Sequence, residues 1–167
     1  MKNFLNIIKS YFKKYYLVYI IFAILLTVDM ITKALAVDIN ISVIPNVLSF
    51  IYSQNTGGAF SLLSNNTVLL TIITAIFIVA IIVLDKFYKS NSKLYRVGYS
   101  LILTGAVGNL IDRILFGYVR DFIKLDFMDF TKLNTIFNVA DICVTFGVCI
   151  MIIYFIISIV KEKKSEK

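Results

Sequence analysis

Hydrophobic residues in this chain gather in four long runs, at about 16–35, 67–84, 97–115 and 142–160. Each run is close to the ~20 residues a helix needs to cross ~30 Å of hydrocarbon. The pattern changes between the first two runs. Pro45 predicts a turn, after which Leu48, Phe50 and Tyr52 alternate with Ser49, Ile51 and Ser53. A period of two predicts a half-buried strand. Gln54 to Gly58 supply turn chemistry, and Ala59–Phe60 start a returning strand. The link from about Phe116 to Val139 is too long for a simple turn, and Asp126 to Asn134 are polar enough for a short surface helix. The first fifteen residues alternate aromatic, aliphatic and Lys positions and fit a helix lying in the headgroup plane.

The expected fold class is therefore an all-α integral membrane protein. It has four transmembrane helices, a small extracytoplasmic β-element and a short outer helix, in one domain over residues 1–167 with a basic tail at 161–167. The 59% hydrophobic content exceeds that of soluble domains and agrees with this reading.

The net charge of +7 invites a nucleic-acid reading, but the placement of the positive residues argues against one. Lys2, Lys9, Lys13 and Lys14 precede the first run. Lys86, Lys89, Lys93 and Arg96 fill the short middle link, and Lys161, Lys163, Lys164 and Lys167 follow the last run. Residues 39–84 carry no charge at all. The positive-inside rule then puts both termini and the middle link in the cytoplasm, and the two longer links outside. Ala34-Leu35-Ala36 resembles a signal-peptide cleavage site, but Asp29 and Lys33 interrupt the stretch before it, which favours a retained helix. Cys143 and Cys149 have no zinc or redox spacing and read as buried small hydrophobes.

Ionisable groups inside a bilayer are costly, so each is a candidate for function. Asp29 and Lys33 are four apart, with the acid first, and fit an ion pair anchoring the first helix at the interface. Gly105, Gly108, Asn109 and Asp112 fall along one stripe of the third helix. The glycines permit close helix approach, and the polar residues point into the bundle. Arg113 is placed to reach the interface or a carboxylate. Asp121 lies among apolar residues and can pair with Arg120 or Arg113. Asp141 follows Asn138 by three, the spacing of a capping box.

Asp121 and Asp141 bracket the second outward link, so both lie at the outer face. Two carboxylates a few ångströms apart cannot both ionise easily; one keeps a proton and the other serves as base, which is aspartic-protease chemistry. The chain has no His, which removes Ser–His, Cys–His and HExxH sites, and it has no Walker A loop.

Five segments in order resemble the lipoprotein signal peptidases (signal peptidase II). Asp29-Met30-Ile31-Thr32-Lys33 is similar to the family's D-x-x-T-K segment, and Asn55-Thr56-Gly57-Gly58-Ala59-Phe60 to its N-x-G-x-A-aromatic segment. Gly105 to Arg113 resemble G-x-x-G-N-x-x-D-R, Gly117 to Phe122 resemble G-x-V-x-D-F, and Phe137 to Asp141 resemble F-N-x-A-D. The resemblance implies a catalytic pair of Asp121 and Asp141. It implies support or substrate contact from Asp29, Lys33, Asn55, Gly57, Asn109, Asp112, Arg113, Asn138 and Ala140. It further implies cleavage before the lipidated Cys of a diacylglyceryl-modified bacterial prolipoprotein, inhibition by globomycin, a surface β-cradle with an outer helix, and a site in the cytoplasmic membrane. Neither metal nor organic cofactor is expected, nucleic acid is not a partner, membrane lipid is, and a monomer suffices. Four positions depart from the pattern: Thr135-Ile136 replace Phe-Pro, Ile142 replaces Ser, and Arg120 replaces an apolar residue. Arg120 raises the expectation that a neighbouring cation favours ionised Asp121. A proton- or ion-coupled transporter is the rival reading, but no inverted repeat is visible and the acids gather at one face. A nonenzymatic scaffold ranks below both.

Overall fold

The computed structural model describes residues 2–57, 66–88, 90, 92–127 and 136–165. The elements run α1 (Lys2–Leu35), β1 (Asn40–Ile44), β2 (Leu48–Asn55), α2 (Thr67–Tyr88), α3 (Lys93–Phe116), β3 (Val119–Leu125), β4 (Ile136–Phe137) and α4 (Val139–Ser165). Four of these helices are long and apolar enough to cross a membrane.

α1 has neither Gly nor Pro, and nothing in its sequence stops the helix. It runs unbroken from Lys2, so the segment expected as a separate interfacial helix is continuous with the apolar span Tyr15–Leu35. The helix ends at Leu35, and in the turn that follows Asp38 takes a left-handed φ of 62°. α3 is the hub of the bundle, packing on α1, α2 and α4. Its mean hydropathy is only 1.2, against 3.1 for α2, because its buried face is polar and small rather than greasy. A Cβ at Gly105 would overlap the Ala140 carbonyl oxygen and come within 2.6 Å of Val144. Glycine there lets the first turn of α4 lie directly on α3.

The expected small β-element is an antiparallel sheet of four strands in the order β1-β2-β3-β4. Pro45 and Asn46 turn β1 into β2. Asn46 has a φ of 61° and Val47 N–H donates to the Ile44 carbonyl at 3.0 Å, as a type II turn requires. On its other edge β2 pairs with β3, a segment for which the sequence predicted no strand. Both faces of β3 are covered at Val119 to Phe122, and this erases the alternation by which a strand is recognised. The expected returning strand at Ala59–Phe60, and all but Asp126–Phe127 of the expected outer helix, lie outside the described residues.

The β2–β3 register contains one irregularity. Phe50 pairs with Ile123 and Ser53 with Asp121, so Ile51 and Tyr52 together oppose Phe122. This extra residue decides which side chains face Asp121. Without it Tyr52 would pair with Asp121, and Asn55 would point to the other face.

Candidate active site

Gly117 ends α3 with a φ of 79° and hands the chain to β3, which carries Asp121. Asp121 is buried and accepts a hydrogen bond from Asn55 Nδ2 at 2.8 Å and another from Asn138 Nδ2 at 2.6 Å. Asn55 reaches it diagonally across the ladder, and Gly57 N–H fixes the Asn55 side chain by donating to its Oδ1 at 2.9 Å.

Asn138 caps α4. Its Oδ1 accepts from Asp141 N–H at 3.0 Å, and Asp141 Oδ2 accepts from Asn138 N–H at 3.1 Å. The capping box predicted from the spacing is present. It does not remove Asp141 from the site, because the same Asn138 bridges to Asp121. Asn109 Nδ2 donates to the other Asp141 oxygen at 2.8 Å. The Asn109 carbonyl accepts from Lys33 Nζ at 3.0 Å and from Asn138 Nδ2 at 3.2 Å, so its amide can turn only one way. The two carboxylates thus share one asparagine and are each held by a second.

Burial raises the Asp121 pKa most, and the Asp141 charge raises it further. The Asn55 and Asn138 hydrogen bonds and the Lys33 charge pull it back, leaving it pushed up to about 7. Arg120 is not among the chief influences on Asp121. Arg120 points away from Asp121 and pairs with Asp112, with Nη2 to Oδ1 at 2.8 Å, while its guanidinium lies 4.4 Å above the Phe116 ring. Its backbone N–H also donates to Asp112, at 2.9 Å. Arg120 and Asp112 together dock β3 on α3.

Asp29 and Lys33 form the predicted pair, at 2.9 Å, inside the protein rather than on its surface. Both are fully buried, and Lys33 also lies 3.5 Å from Asp112. Asp29 Oδ1 accepts from Ala140 N–H at 2.8 Å, in the turn of α4 that carries Asp141. An acid at a helix N-terminus satisfies an orphan donor and meets the helix dipole. Two acids (Asp29, Asp112) and two bases (Lys33, Arg120) thus form a charge-balanced base beneath the aspartate pair. Arg113 lies within electrostatic reach of Asp141, Asp121 and Asp112, as expected of a partner for a carboxylate, and its Nη2 donates to the Gly57 carbonyl at 3.4 Å. Sequence reasoning missed Ser53, which sits opposite Asp121 in the ladder. No motif marks it, since its position depends on the bulge.

The signal peptidase II family matches residues 21–157. The chain belongs to this family. It is similar to a lipoprotein signal peptidase of Clostridium acetobutylicum, at 38% identity over 89% of this chain and 97% of the relative. One from Enterococcus faecalis is 43% identical, over 83% of this chain and 87% of the relative. A bacterial membrane enzyme solved by the in meso method at 2.3 Å superposes with a TM-score of 0.76 at 30% identity, covering 90% of this chain and 91% of that one. A protease family and four apolar helices make this a multi-pass bacterial membrane protein.

Proposed function

We propose that this signal peptidase II family member is an aspartyl endopeptidase of the cytoplasmic membrane. It removes signal peptides from diacylglyceryl-modified prolipoproteins by cutting on the N-terminal side of the lipidated Cys. The observation that carries the aspartic mechanism is the sharing of Asn138 by Asp121 and Asp141, with Asp121 titrating near neutrality. Both termini lie in the cytoplasm and the aspartate pair at the outer face, so the substrate enters from the bilayer with its lipid chains still in hydrocarbon. The chain works as a single domain and a monomer, without metal or organic cofactor. Globomycin inhibits it.

Asp121 holds the proton and hydrogen-bonds the scissile carbonyl oxygen. Asp141 takes a proton from a water lying between the carboxylates. The water oxygen bonds to the carbonyl carbon, and Asp121 gives its proton to the carbonyl oxygen. Collapse of the gem-diol breaks the C–N bond. Asp141 passes its proton to the leaving nitrogen, and a hydroxyl proton returns to Asp121. Asn55 and Arg113, both partly exposed, supply donors at the rim of the site, where the substrate backbone lies, while the buried Asn138 keeps its donors on Asp121, Asn109 and Asp141.

The test is cleavage of a diacylglyceryl-modified prolipoprotein by the purified, detergent-solubilised protein, beside Asp121→Asn and Asp141→Asn. Wild-type cleavage with both variants inactive supports the reading. Cleavage by either folded variant at wild-type rate rejects the aspartate pair. Cation flux in liposomes without any cleavage rejects the peptidase in favour of a transporter.

A further inference from the structure

At the end of the bundle away from the aspartate pair, α1 and α2 both lean on α3 and touch each other little. A cavity of about 270 Å³ remains between the three helices. Its lining changes along the helix axes. Tyr19 on α1, Asp85 and Lys86 on α2 and Tyr99 on α3 form the polar end. One turn nearer the aspartate pair, Phe22, Ile82 and Leu103 on the same three helices form the apolar end. The cavity opens sideways, because Tyr19 and Ile82 are 44% and 38% exposed.

This polarity gradient runs along the membrane normal, in the order found in a lipid leaflet. Charge complementarity narrows the occupant. Asp85 is buried and accepts a hydrogen bond from the Tyr95 hydroxyl, which compensates for a carboxylate in the most apolar of the four spans. Lys86 lines the cavity, and the Arg96 guanidinium lies 5.7 Å above the ring of Tyr15, another wall residue. With the Asp85 carboxylate taken up by Tyr95, the Lys86 ammonium is the cation in the cavity lining, and above an apolar slot it suits a phosphodiester with an acyl chain below it. The volume accommodates the headgroup and the first carbons of a chain, with the rest in the bilayer.

We infer that the cavity between α1, α2 and α3 binds an anionic phospholipid of the leaflet opposite the aspartate pair, with Lys86 on its phosphate and Phe22, Ile82 and Leu103 against its acyl chain. In the orientation proposed above this is the cytoplasmic leaflet. Such a lipid would wedge the peripheral helix α2 to α1, which the protein's own packing does little to join.

The test is native mass spectrometry of the full-length protein in detergent, titrated with phosphatidylglycerol, phosphatidylcholine or phosphate-free diacylglycerol. One phosphatidylglycerol is expected to persist on the wild type. Lys86→Ala should weaken it about tenfold, the loss of one charge-assisted contact. Ile82→Trp, which fills the slot, should abolish it, and Lys161→Ala, outside the cavity, should leave it unchanged. Equal binding to wild type and Lys86→Ala overturns the proposal. So does equal retention of phosphatidylcholine, which would mean no selection for an anion, equal retention of diacylglycerol, which would mean an unselective crevice, or an Ile82→Trp-sensitive dimer that carries no lipid. The exposed position of Lys86 keeps its substitution compatible with folding, so the outcome does not depend on the Trp variant.

Discussion

Asn138 donates to Asp121 at 2.6 Å through its side chain and to Asp141 at 3.1 Å through its backbone N–H. One residue therefore performs two tasks, ending the second link as a helix cap and setting the spacing of two carboxylates. Replacing it should expose both tasks. Asn138→Ala removes a cap worth about 1 kcal/mol, and its lost donor should lower kcat by about 10²-fold. Thermal unfolding in detergent and single-turnover cleavage separate the two effects. A kcat loss no larger than the small stability loss explains would mean that Asn138 merely caps α4.

The Asp121 pKa predicts the pH dependence. Burial and the Asp141 charge raise it from the ordinary carboxylate value of 3.8 to about 7. Its proton is thus held below neutrality and lost above. If the protonated form activates the carbonyl, kcat/KM should fall tenfold per pH unit once pH exceeds about 7. Asn55 stabilises the ionised form. Asn55→Leu should therefore shift this alkaline limb upward, even as the rate drops. A limb unmoved or displaced downward would assign the titration to another group.

The buried charges beneath the pair make a contrasting prediction about stability. Lys33 lies 2.9 Å from Asp29 and 3.5 Å from Asp112, all without exposure to solvent. Lys33→Met leaves two buried acids short of a counter-charge and should destabilise by about 3–5 kcal/mol. Lys33→Met combined with Asp29→Asn should recover part of that loss, because one stranded charge is removed. Thermal denaturation of the four proteins forms the double-mutant cycle. A purely additive result would show that the pair is not coupled.

Much of this arrangement was legible from charge alone. In spans otherwise apolar, Asp29, Lys33, Asn109, Asp112 and Arg113 stood out because the bilayer makes each costly, and most of them meet at one end of the bundle. Asp121 and Asp141 could be paired from their places at the two ends of one link. Arg120 was misread because sequence adjacency to Asp121 implied spatial influence, whereas strand alternation sends neighbours to opposite faces. β3 was missed for a related reason: burial on both faces removes the period of two. Asp85 went unnoticed because it closes an apolar run and looks like part of the middle link. The burial of Asp85 is decided by α3, through Tyr95.

Close helix approach yields a prediction at a position with no chemistry. Gly105 lies under the Ala140 carbonyl, one residue before Asp141. Gly105→Ala must push the first turn of α4 outward, since backbone atoms rather than a flexible side chain occupy the space. A displacement near 1 Å should cost about 10²-fold in kcat. Circular dichroism should remain helical. Full activity in this variant would show that the aspartate spacing tolerates movement of α4.

The β2 irregularity offers the sharpest separation of register from composition. Ile51 and Tyr52 together oppose Phe122, and beyond them Ser53 faces Asp121 and Asn55 faces Val119. Deleting Ile51 removes the extra residue while leaving those two pairings possible. Deleting Gln54, three positions later, instead places Asn55 opposite Arg120 and turns its amide to the far face. Both deletions shorten the strand by one residue, yet only the second separates Asn55 from Asp121. Cleavage should therefore survive loss of Ile51 substantially better than loss of Gln54, which should match Asn55→Ala. Equal damage from the two deletions would mean that strand length, rather than the face presented by Asn55, is what the site requires.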